Sequence, residues 1–124
     1  MNYIGFGNKC FNVPTSEQSI DIVIASKSEA ISFEDFIKKA VKYLCVEIYK
    51  ERPENVFSEI INRSAVDKGM ELITVFLSGM DQSVELRFEE IINMVYVTEP
   101  RWNNYDIAFE TANSYVFFTW GTTA

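Results

Sequence analysis

Between residues 33 and 48 the apolar positions Phe33, Phe36, Ile37, Ala40, Val41, Leu44, Cys45 and Ile48 recur at steps of three and four, the spacing that lines one face of an α-helix. Ser32 precedes this run as an N-cap, with Asp35 three residues on in the manner of a capping box. Glu34 suits the positive end of the helix. Lys38, Lys39 and Lys42 fall on the outer face, the first two within i,i+4 reach of Glu34 and Asp35. Pro53 cannot continue the helix but suits the first turn of a second one. Its apolar face is Val56, Phe57, Ile60 and Ile61, up to about Arg63, and Gly69 ends the connection.

Strand patterns lie on either side of the helices. After a mixed lead-in over residues 1–19, residues 20–25 (IDIVIA) are β-branched and predict a short buried strand. Residues 71–77 (ELITVFL) form a nearly continuous apolar run, which predicts a strand covered on both faces. Residues 83–89 alternate, with Val84, Leu86 and Phe88 on one side, and residues 78–82 supply a hairpin loop. Further runs at 91–98, 105–111 and 114–120 follow, the last two joined through Ala112 and Asn113. Tyr115 and Phe117 fall on one side of the final run, Phe118 and Trp120 on the other. That strand is therefore central in the sheet or covered by a partner, and the central position is the simpler choice. Strand, helix, helix and then five strands predict one α+β domain over residues 1–124, an antiparallel meander with two helices packed on one face.

Composition narrows the chemistry. The chain has 124 residues, 48% of them hydrophobic and 15% aromatic, so a core of ordinary size is expected. It contains no histidine, which removes His-based triads, His-ligated zinc and imidazole acid–base catalysis. Cys10 and Cys45 are too few for a zinc site, and Cys45 falls on the apolar helix stripe as a small buried hydrophobe. No G-x-S-x-G, phosphate loop or EF-hand pattern occurs. Glu89 and Glu90 are adjacent, so on a strand they point to opposite faces and do not form a facing carboxylate pair. No catalytic residue, metal or cofactor is expected. The N-terminal residues lack the pattern of a secretory signal, and no apolar run is long enough to span a bilayer, so a cytoplasmic location is expected.

Charge supplies a positive indication. Eleven basic and eighteen acidic residues give a net charge of −7, which opposes nucleic acid or an anionic membrane as partner. Residues 1–69 hold ten acids and nine bases, whereas residues 70–124 hold eight acids and two bases. The net charge thus belongs to the predicted sheet, where Glu85 and Glu89 share one side, as do Asp106 and Glu110. These acids serve either as the solvated face of the sheet or as a field that captures a basic partner. Residues 98–106 (TEPRWNNYD) set Arg101, Trp102 and Tyr105 in a polar loop between Glu99 and Asp106. Trp, Tyr and Arg are the usual anchors of interfaces, and the other possibility is that Trp102 folds back as a lid on the sheet edge. The candidate partner-binding residues are Glu85, Glu89, Glu90, Glu99, Arg101, Trp102, Tyr105, Asp106 and Glu110. Reversing the charge of Asp106 is expected to weaken binding without lowering the melting temperature by more than a few degrees.

In plan, the whole chain resembles the bacterial immunity proteins that neutralise contact-dependent or other polymorphic toxins. The likeness lies in its length, its acidity, a helix pair followed by a meander, and an aromatic, acidic C-terminal half. It implies a protein that binds one cognate toxin domain, most often a nuclease, and occludes its basic active-site region. A small acidic secretion chaperone is the alternative, although those proteins typically end in a helix and this chain ends in an aromatic run.

Overall fold

The computed structural model describes residues 1–11, 17–57, 59–80 and 90–122. The expected strand at 83–89, the end of the preceding loop, and Glu85 and Glu89 lie outside the described residues. Among the described residues six antiparallel strands form one sheet: β1 (Asn2–Phe6), β2 (Gln18–Ser26), β3 (Arg63–Ser64), β4 (Ile91–Tyr96), β5 (Asn104–Thr111) and β6 (Ser114–Thr122). Their spatial order is β1-β2-β6-β5-β4-β3. The α+β class and the all-antiparallel sheet are those expected, with β4, β5 and β6 as a meander. The aromatic strand β6 is central, between β2 and β5.

Helix α1 (Phe33–Tyr43) starts as its sequence requires, with the Ser32 hydroxyl accepting from the Asp35 amide at 3.0 Å. Asp35 in turn accepts from the Ile31 amide and pairs with Lys39, each at 3.0 Å. Phe36, Ile37, Ala40 and Val41 are buried against Val23, Ala108, Tyr115 and Phe117 on one face of the sheet. The Phe36 ring stacks on Tyr115 at 5.1 Å. The helix continues as a π-helical turn over Leu44–Tyr49 and stops at Lys50, whose φ of 59° is left-handed. The wider turn carries the Tyr49 hydroxyl to Asp21 of β2.

Two expectations need correction. The second helix is one turn long, α2 (Pro53–Val56). Its Pro53 start is as expected, and Phe57 is buried beside Phe117. Beyond it Ile60 and Ile61 are exposed, not an apolar helix face. The Val97 carbonyl takes the Ile61 amide at 2.8 Å, and Asn62 turns left-handed at φ 46°. The chain then enters β3, paired with β4.

The apolar run 71–77 is not a strand but part of α3 (Gly69–Ser78). An apolar run covered on most sides has no period that separates helix from strand, and Ile73, Thr74 and Val75 favour the strand by propensity. Packing decides against that preference. Gly69 and Ile73 are buried, Leu72, Phe76 and Leu77 half-buried, and Met70, Glu71, Thr74 and Val75 exposed, which is a helical pattern that begins two residues before the run. Gly69 is the first residue of this helix and not the end of a connection. A Cβ there would stand 2.2 Å from the Met94 sulfur, so glycine lets the backbone approach β4.

Helix α3 packs on the opposite face from α1. It covers Ile20, Ile22, Ile107, Phe109, Phe118 and Trp120, with Phe76 stacked on Trp120 at 4.3 Å and 10°. The central strands are therefore sealed on both sides, and a solvated sheet face carrying acids does not exist there.

Candidate functional site

Three residues in register, Asp21, Thr119 and Asp106, stand side by side across β2, β6 and β5. Alternation places all three on the α1 face, in line with Val23, Phe117 and Ala108. Asp106 is only 2% exposed. One of its carboxylate oxygens accepts from the Thr119 hydroxyl at 2.6 Å, the other from the Thr98 hydroxyl at 2.6 Å and the Asn104 amide at 2.9 Å. Asp21 accepts from Tyr3 at 2.6 Å and from Tyr49 at 2.5 Å. Burial raises the pKa of both tyrosines above the ordinary phenol range, reinforced by the Asp21 carboxylate. The donors are hydroxyls and an amide, so each carboxylate ties neighbouring elements together instead of offering a free oxygen for acid–base work.

Asp106 thereby holds the base of the β4–β5 hairpin, and its own carbonyl also accepts from the Val97 amide at 2.8 Å. At the tip, Arg101 and Asn104 exchange backbone hydrogen bonds of 3.0 and 3.2 Å, leaving Trp102 and Asn103 as a two-residue turn. The Thr122 amide donates to the Asn103 carbonyl at 3.0 Å, which fastens the tip to β6. On this braced turn Trp102 is 72% exposed. It is not a lid.

Beside the hairpin, at the same end of the sheet, an open groove of about 460 Å³ is lined by Glu17, Gln18, Ser19, Asn103, Asn104, Gly121 and Thr122. Trp120, which faces α3, donates its indole N–H to Gln18 at 3.1 Å.

The candidate residues divide accordingly. Glu99, Arg101 and Trp102 are exposed together at the hairpin, with Glu99 paired to Arg63 at 3.1 Å. Glu90 is exposed ahead of β4. Tyr105 turns inward, half-buried against Phe76 at 5.3 Å. Asp106 is buried in the core network, not on a partner-facing surface, because β5 presents it to the side covered by α1. Glu110 shares that side but stands four residues along the strand, roughly 13 Å away. It is bound to Lys27 and Asn93; burial pushes its carboxyl up, but those two partners outweigh it and hold the pKa below the usual range. Cys45 is buried, and burial, aided by Glu51 and Glu54, raises its thiol pKa and keeps it protonated.

Sequence reasoning missed Asp21, Thr98, Thr119, Asn103, Asn104 and Gly121. The available signal was alternation: Asp21 shares a side with Val23, and Thr119 with Phe117, so both belong to the interior. Among the described residues no group of three or more Cys, Asp or Glu is placed to hold a metal ion, and no helix is long and apolar enough to cross a membrane. No protein-family model, curated protein or solved structure matches the chain.

Proposed function

We propose that this chain is a binding protein, without catalysis of its own, that docks a protein partner through the β4–β5 hairpin with Trp102 as the anchor. One observation carries this reading: an indole 72% exposed on a turn that is fastened at its base, across its neck and to β6. Burying a tryptophan against a partner removes some 150–250 Å² from water, worth about 4–6 kcal/mol before the costs of association. A turn already held in place loses little further entropy on binding, so more of that gain becomes affinity. The net charge of −7 selects a basic partner. Together with the resemblance in plan, this makes a toxin domain with a basic active-site region the partner, neutralised by occlusion in the cytoplasm.

The test is co-expression with candidate toxin domains drawn from the genes that neighbour the one encoding this chain. The wild type should restore growth and form a complex with the toxin on gel filtration. Trp102→Ala should lose at least about thirtyfold in affinity, as hot-spot truncations do, with an unchanged melt. Full protection and unchanged affinity in Trp102→Ala would refute the hairpin as the docking element.

A further inference from the structure

The two edges of the sheet are finished differently. At one, β3 is two residues long and carries Arg63, and short length and charge both discourage further strand pairing. At the other, β1 runs five residues in unbroken register with β2, without a charge, a proline or a bulge. Among the described residues nothing pairs with its outer side, and Asn2, Ile4 and Gly5 are exposed, Ile4 by 40%. Such an edge is a template for one more strand. Beside it on the α1 face lies a hollow of about 250 Å³, lined by Met1 and by Lys39, Lys42, Tyr43, Val46 and Glu47, one stripe of α1 and its π-helical extension. The Tyr43 ring stands 6.4 Å from that of Tyr3, which sets the stripe over β1. Val46 is exposed. Lys42 and Glu47 are exposed, opposite in charge, and without a hydrogen-bond or ion-pair partner among the described residues.

We infer that β1 is the docking edge for a second copy of this chain, paired antiparallel about a two-fold axis through Ile4. Self-complementarity selects that occupant. With the axis at Ile4, Asn2 meets Phe6 of the second copy, Tyr3 meets Gly5, and Ile4 meets its own counterpart. A glycine opposite Tyr3 leaves room for the ring, and the two exposed isoleucines cover each other. The same axis reverses the stripe, so Lys42 of each copy is turned toward Glu47 of the other. Because β1 has no charge, the contact sets no like charges of the two acidic chains against each other along the strand. Strands β2 and β6 separate β1 from the hairpin strand β5, so the inference stands apart from docking through Trp102.

The experiment is a sedimentation series on the purified chain, with thermal melts of every variant and hydrogen exchange at the β1 amides. An interface of this size gives a weak dimer, in the micromolar range and visible well below about 500 µM. Exchange at residues 2–6 should slow as concentration rises. Ile4→Lys sets two like charges together on the axis and should weaken the dimer at least about tenfold with an unchanged melt. Lys42→Glu and Glu47→Lys should each weaken it, and the double variant Lys42→Glu/Glu47→Lys should return it to within about twofold of wild type, because the pair is restored with its signs exchanged. A chain monomeric at about 500 µM, a dimer that adds no protection at β1, an undiminished dimer of folded Ile4→Lys, or a double variant no better than the single ones would each overturn the inference. A dimer lost in Trp102→Ala would also overturn it, by placing the contact at the indole. A monomer whose Ile4→Lys variant loses affinity for the toxin partner would overturn it too, and assign the edge to that partner.

Discussion

Replacing Asp106 by alanine tests whether a buried carboxylate organises the hairpin. The substitution removes the acceptor for three donors, two of them on buried threonines. Hydrogen bonds to a charged group are worth about 1.5–3 kcal/mol each. The desolvation cost of the carboxylate disappears with it and offsets several kcal/mol of that loss. The net destabilisation is then about 3–5 kcal/mol. At about 4 °C per kcal/mol for a chain of this size, the melting temperature should fall by about 12–20 °C. Asp106→Asn keeps the shape and one acceptor oxygen, and threonine hydroxyls can accept as well as donate. It should cost about 1–2 kcal/mol, a fall of about 4–8 °C. Asp106→Lys has neither acceptor nor room and should be at least as damaging as alanine, contrary to the expectation from sequence that charge reversal is tolerated. The assay is a circular-dichroism melt with a parallel urea titration, in which an unchanged slope reports unaltered unfolding cooperativity. An Asp106→Ala melt within about 3 °C of wild type, or an asparagine variant as unstable as the alanine one, would refute the network as the source of the hairpin's rigidity.

Other consequences are equally accessible. Gly69→Ala should cost about 1–3 kcal/mol, because its Cβ meets the buried Met94 side chain, and Met94→Ala in the same chain should recover part of it in a chemical melt. Tyr49 has a folded pKa raised above its unfolded value near 10, so its contribution is fully present below pH 10 and is lost as pH rises beyond it. Tyr49 alone should take about 1.4 kcal/mol per pH unit from stability there, Tyr3 adds to the slope, and Tyr49→Phe should remove only its own share. Trp102→Ala should leave stability within about 0.5 kcal/mol, whereas Trp120→Ala, stacked under Phe76, should cost about 3–5 kcal/mol. Both are read from the same urea titration. Raising salt from about 50 to 500 mM should slow association with the partner several-fold, and a rate indifferent to salt would remove electrostatic steering from the account.

The helix at 33–43 was legible because cap, apolar period and flanking charges agree, and packing leaves all three intact. The three C-terminal strands were legible because β-branched and aromatic residues fill runs bounded by turn residues. The helix at 69–78 was not, since its outer face carries Met70 and Val75 and blurs the period that separates it from a strand. The site was half legible. Trp102 announced itself as an aromatic among polar residues, and the structure leaves it exposed. Asp106 sits four residues later among similar neighbours and is buried, because its environment is set by β6 and by Thr98, and pairing across strands is not written in any local window. The groove was invisible for the same reason: its lining comes from β2, the hairpin turn, β5 and β6.

The placement of charge changes how the acidic C-terminal half should be read. Of its acids, Asp106 is interior, Glu110 is bound to Lys27, and Glu99 is bound to Arg63. Lys27 and Arg63 are bases from the N-terminal half, so folding pairs part of the imbalance seen between the halves across them. The long-range field depends on the net charge of −7, and such a field can hasten encounter with any basic protein without choosing among them. Selectivity then has to arise at short range, where desolvated contacts and fixed hydrogen-bond directions distinguish partners. For the proposed docking, the hairpin end of the sheet offers such a contact in an uncovered indole on a fastened turn. An acid counted from sequence as part of the attracting surface thus acts from the interior, by deciding which way its neighbours face.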